Sequence, residues 1–121
     1  MTPRTLSELR AAVARVLQAR GEAADALVCE IEPQAGGVWH ASILATTCGA
    51  LIDWLIIGGN TRDAAIAAMW RRFVIELEHE HDSAKHCAAS TRRPERRAAA
   101  DVRLAHATAA LAVARETGGG G

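Results

Sequence analysis

Residues 48–77, CGALIDWLIIGGNTRDAAIAAMWRRFVIEL, constrain this chain more than any other stretch. Within them, 51–57 is apolar on both faces of an extended chain, with Asp53 the one exception. Its β-branched content favours a strand over a helix. Gly58-Gly59-Asn60 is turn chemistry. Asn60 or Thr61 can cap a helix, with Asp63 favourable in its first turn. Ile66, Met69, Trp70, Phe73 and Leu77 then follow at i, i+3, i+4, i+7 and i+11, the spacing of a single helical stripe. A strand apolar on both sides needs cover on both sides, and one helical layer supplies only one. The other cover must come from elsewhere in the chain or from a second subunit.

The preceding segments read as the rest of a small sheet. Thr5 and Glu8 stand in capping-box spacing, and Leu6, Leu9, Val13, Val16 and Leu17 follow at helical spacing. Gly21 is a natural stop. Residues 26–32 alternate, with Leu27, Cys29 and Ile31 on one face and Val28, Glu30 and Glu32 on the other. A Pro-Gln-Ala-Gly-Gly turn leads to a second strand, 38–45, with Trp39, Ala41 and Ile43 on one side and His40 and Ser42 on the other. The two form an antiparallel hairpin with a loop longer than two residues.

Beyond the central stretch, the helix predicted over 61–84 runs into EHEHDSAKH, past any face it could bury. Ser90-Thr91-Arg92-Arg93-Pro94 breaks it, with Pro94 suited to a first helical position. A last helix, 96–116, is rich in alanine, and its only large apolar residues are Val102, Leu104, Leu111 and Val113. Little buried area makes it the least stable element, loosely attached or docked on a partner chain. The expected fold class is α+β: a helix, a three-stranded antiparallel sheet, a long amphipathic helix and a C-terminal alanine-rich helix. Residues 1–88 are expected to form a compact domain, 89–116 the added helix and 117–121 a disordered tail.

With 121 residues there is room for one modest core. Aromatics are only 3% of the chain, so Trp39, Trp54, Trp70 and Phe73 must anchor a core otherwise made of small residues. A formal net charge of +0 argues against a globally basic nucleic-acid binder. Cys29, Cys48 and Cys87 show no C-x-x-C spacing, which argues for a reducing compartment, the cytoplasm, rather than a disulfide framework. The first ten residues, MTPRTLSELR, lack the apolar core of a signal peptide. The longest apolar run, 41–59, is interrupted by Gly49, Asp53 and two threonines, so no membrane span is expected.

Three resemblances follow from these motifs. The element order resembles double-stranded RNA-binding domains in outline. Those rely on a basic cluster opening the last helix, where Asn60-Thr61-Arg62-Asp63 carries a single positive charge. The Gly59-Asn60-Thr61 turn resembles the Gly-x-Thr-like turn of HicB-type antitoxins. Cys48-Gly49-Ala50, followed by Thr61, Ala65, Ile66, Ala67, Ala68, Trp70, Arg71 and Arg72, resembles the Lar-type restriction-alleviation family of phages and prophages. In that family a zinc ribbon ending in Cys-Gly-Ala precedes a Thr-x-x-x-Ala-Ile-x-x-Trp-Asn-Arg-Arg helix. Here the tryptophan falls one place late, and Ala45 stands where the partner of Cys48 would be. Cys29, His40 and Cys48 fall one short of a tetrahedral zinc set. What remains of the resemblance implies a small non-enzymatic protein of a mobile element, without the metal.

The candidate chemistry is sparse. His79, Asp82 or Ser83, and His86 share one helix face, and imidazole suits zinc, copper and nickel. A solvated helix end has the same composition, and no metal or cofactor is expected. Arg92, Arg93, Arg96 and Arg97 flank Pro94 and could hold phosphates, or could pair with the acidic segment 76–82 across the hinge. No aromatic residue interleaves them, which argues against single-strand stacking. An enzyme would need a pocket joining Asp53, His40 and a cysteine. The leading expectation is a non-enzymatic accessory protein of phage or prophage type that binds another macromolecule, a protein first. The alternative is a nucleic-acid-binding regulator using Arg62, Arg71 and Arg72 with Arg92, Arg93, Arg96 and Arg97. A homodimer is expected, with strand 51–57 or the alanine-rich helix at its interface.

Overall fold

The computed structural model describes residues 2–22, 24, 27–44 and 55–119. Cys48, Gly49, Ala50, Asp53 and Trp54, and with them the first half of the two-sided strand, lie outside the described residues. The elements run α1 (Leu6–Ala19), β1 (Val28–Pro33), β2 (Trp39–Leu44), β3 (Leu55–Gly59), α2 (Arg62–Ser90) and α3 (Pro94–Ala114). This is the α+β architecture expected, with two strands and no continuous helix among the described residues of 41–57.

Local chemistry sets the boundaries. The Thr5 hydroxyl accepts from the Glu8 amide at 3.1 Å, and the Glu8 carboxylate accepts from the Thr5 amide at 3.1 Å, closing a capping box on α1. The helix ends where Gly21 takes a φ of 85°. The Glu22 amide then reaches back to the Leu17 carbonyl, and that of Gly21 to Gln18, a left-handed stop that favours glycine. Between β1 and β2, Gly36 and Gly37 also take positive φ, and the Gln34 amide donates to the Val38 carbonyl. Of the two candidate caps for α2, Thr61 serves: its hydroxyl accepts from the Ala64 amide at 3.0 Å.

The sheet is antiparallel in the order β1-β2-β3. Its register aligns Cys29 with Ile43, Ile31 with Ala41, and Ala41 with Ile57. These residues face the helices. Cys29, Ala41 and Ile43 are buried there, while Ile31 and Ile57 are half-buried. Leu9, Val13, Val16 and Leu17 of α1 and Ile66, Met69, Trp70, Phe73 and Leu77 of α2 complete the same cluster. The alternate residues face the other way, with Glu30, Ser42 and Ile56 in one row and Glu32, His40 and Gly58 in the next.

The C-terminal half departs from expectation in three ways. α2 runs through the histidines to the expected break at Ser90, but its polar end is not past any face it could bury: Ala84 and Ala88 are buried there. α3 is an integral layer rather than a loosely attached one. It packs on α2 and α1, and its Ala110, Leu111 and Ala114 join the main core. Small side chains let the axes approach closely, so burial here comes from proximity rather than from large apolar groups. Finally, the expected tail begins as structure: Arg115–Gly119 form one wide helical turn. Among the described residues, no helix is long and apolar enough to cross a membrane.

Candidate functional site

The seven arginines of the nucleic-acid reading do not converge. Arg62 opens α2, and Arg92 and Arg93 follow its end, about 43 Å away at 1.5 Å per residue. Arg71 and Arg72 lie between, and Arg72 is taken by Glu76 one turn on, Nε to Oε1 at 3.0 Å. Arg92, Arg93, Arg96 and Arg97 stay together at the turn between α2 and α3, all exposed. They do not reach the acidic segment. Glu80 and Arg103 lie at nearly equal chain distances from that turn, so the antiparallel hairpin brings those two face to face instead.

Glu80 is the centre of a charge network that the local sequence pattern did not reveal. Its carboxylate accepts two bonds from Arg103, from Nε at 3.0 Å and from Nη2 at 3.2 Å. Arg103 Nη2 also donates to the Ser83 hydroxyl at 3.3 Å. Arg20, at the end of α1, places one nitrogen 3.6 Å from Glu80 and another 3.5 Å from Glu22. The hydrogen bonds that Arg103 donates to Glu80 push its guanidinium above its ordinary value. Burial raises the Glu22 carboxyl, with Arg20 opposing and Glu80 adding to the rise. Beside this network lies a cleft of about 310 Å³, walled by Gly21, Ala99, Val102 and His106. Both guanidiniums are spent on carboxylates, and among the described residues no serine, threonine, cysteine or lysine lines the cleft. Chemically it is a clamp fastening the end of α1 to the α2–α3 hairpin.

The remaining candidates separate. His79, Asp82 and His86 share one continuous helix, yet among the described residues no group of three His, Cys, Asp or Glu side chains is arranged for a metal ion. Cys29 faces the core while His40 is exposed on the opposite face of the sheet, so the two do not meet. Asp53 and Cys48, the other partners of the enzyme reading, lie outside the described residues. Burial pushes the Cys29 thiol up to about 11, with Arg10 opposing. At pH 8 that leaves about one thiolate per thousand molecules. Brief treatment of the folded protein with iodoacetamide at pH 8 should therefore label the exposed Cys87 and spare Cys29, as read by peptide mass spectrometry. Cys29 labelled as fast as Cys87 would mean that β1 opens in the native state.

Among the described residues, two of the four exposed large apolar side chains, Val28 and Ile56, lie on the outer face of the sheet. α1 and α2 cover its inner face, and α3 packs on those helices. On the outer face Val28 is 42% exposed and Ile56 48%, with half-buried Leu44 beside Val28 in register. Glu30 shares the row of Ser42 and Ile56, and Glu32 and His40 stand in the next, all three exposed. The result is a face with exposed apolar side chains on both edge strands and acidic residues along β1. No family model, curated protein or solved structure matches this chain.

Proposed function

We propose that the protein is a non-enzymatic accessory protein that binds another protein across the outer face of its sheet. The observation that carries this reading is the exposure of two large apolar side chains on one outer face of the sheet, Val28, with Leu44 beside it in register, and Ile56. Exposed apolar side chains beside acidic ones are the composition of a protein contact rather than of a phosphate-binding surface. The phage or prophage origin comes from the Lar-type resemblance over residues 48–72, where Thr61 caps α2 and Ile66 and Trp70 bury its stripe. The free thiols of Cys29 and Cys87 fit a reducing compartment such as the cytoplasm.

Affinity capture with the tagged full chain tests the reading. A stoichiometric protein partner should be retained by wild type, lost by Val28→Glu, and kept by the double variant Arg92→Ala and Arg93→Ala. The opposite pattern, with submicromolar DNA or RNA binding at low salt that falls steeply as salt rises, would replace it with the nucleic-acid regulator.

A further inference from the structure

The two edges of the sheet are built differently. β1 carries Glu30 and Glu32 and ends in Pro33. Charges and proline on an edge strand discourage pairing with another strand. β3 is Leu-Ile-Ile-Gly-Gly, without charge or proline, and among the described residues no strand pairs with its outer edge. Alternate residues of such a strand turn their amide and carbonyl groups outward, where a further strand satisfies them.

We propose that β3 pairs antiparallel with β3 of a second copy of this chain, about a two-fold axis near Ile57, joining the two sheets into one. The occupant is argued from self-complementarity. Centred on Ile57, the pairing sets Ile57 against the partner's Ile57 on the helix side, where it is half-buried in the single chain. It sets Ile56 opposite the partner's Gly58 on the outer side, and does so twice. Ile56 is 48% exposed, and Gly58 offers no side chain of its own. Each isoleucine thus covers the space over a glycine on the facing strand. A two-fold axis is also the commonest closed arrangement for a homo-oligomer. This interface uses the sheet edge and goes beyond the protein-partner reading, with which it shares Ile56 but not Val28 on the outer face.

Light scattering of the full chain over a micromolar dilution series tests it. The mass should approach twice 12.8 kDa at the top of the series and fall toward 12.8 kDa on dilution. Ile56→Lys should stay at 12.8 kDa throughout. Gly58→Lys should do the same, and the single chain tolerates it, because a Cβ there meets only His40 and Val38 at 3.6 Å. Val102→Lys, on an exposed face of α3, should remain dimeric. Circular dichroism confirms that each variant is folded, and Gly58→Lys decides the matter if Ile56→Lys is not. A wild-type mass of 12.8 kDa at every concentration overturns the proposal, as does a dimer that survives both edge variants or dissolves with Val102→Lys. Val28→Glu separates the two readings: partner capture lost with the dimer intact belongs to the face and leaves the edge pairing standing.

Discussion

Trp70→Ala should destabilise the protein by about 3–5 kcal/mol, a large share of the ~5–15 kcal/mol typical of a whole domain. Trp70 is 1% exposed at the centre of the α2 stripe, and its ring lies 5.7 Å from that of Phe73 at a tilt of 37°. Few residues in this chain are comparable in size, so the surrounding core has little with which to refill the space. Trp70→Phe is the informative comparison. Among the described residues the indole Nε1–H is buried without an acceptor. A donor in that position costs about 1–3 kcal/mol, and phenylalanine removes it while keeping most of the ring. Trp70→Phe should therefore cost under about 2 kcal/mol, the lost volume being offset by the lost orphan donor. Urea denaturation of both variants measures the difference from their midpoints at equal slope. A Trp70→Phe cost well above about 2 kcal/mol would show that the indole is hydrogen-bonded in solution.

How much of this could be read from residues depended on the kind of packing involved. The capping box at Thr5 and Glu8, the glycine stop at Gly21 and the stripe from Ile66 to Leu77 are local patterns, and each is where the spacing put it. The alternation in β1 and β2 also sorted inward from outward residues, because a pleated strand has only two faces. α3 was harder for a physical reason. Hydrophobic periodicity weighs large side chains, whereas α2 and α3 pack together with Ala84, Ala88, Ala107 and Ala110 buried, residues that register as neutral filler in a helix rich in alanine. The charge network was hidden differently. Arg92, Arg93, Arg96 and Arg97 are conspicuous because they are neighbours in sequence, but an antiparallel hairpin pairs residues equidistant from its turn. Glu80 therefore found Arg103, and the end of α1 added Arg20. That Val28, Leu44 and Ile56 share the outer face depends on strand order and register, which no single segment specifies.

The second large effect sits at the junction of β3 and α2, where two adjacent glycines should behave oppositely. At Gly59 a Cβ would stand 2.6 Å from the Ala65 nitrogen, 2.8 Å from its Cα and 3.0 Å from the Ala64 carbonyl carbon. All three atoms are backbone in the first turn of α2, so no flexible side chain can give way. That turn is held by the Thr61 hydroxyl on the Ala64 amide and the Thr61 carbonyl on the Ala65 amide, each at 3.0 Å. Gly59→Ala must push the helix start off the strand end or pull Gly59 out of register with Trp39. Overpacking typically costs about 1–3 kcal/mol, and weakening the cap adds about 1 kcal/mol. A loss of about 3 kcal/mol is expected. At Gly58 the added Cβ meets only side-chain atoms of His40 and Val38 at 3.6 Å, ordinary contact, and the backbone there has negative or extended φ. Gly58→Ala should be neutral or gain up to about 1 kcal/mol, because alanine also narrows the unfolded ensemble. Thermal denaturation of the two variants side by side gives the order directly. A Gly59→Ala protein as stable as Gly58→Ala would mean that α2 does not leave β3 by the close approach on which the whole sheet-to-helix joint depends.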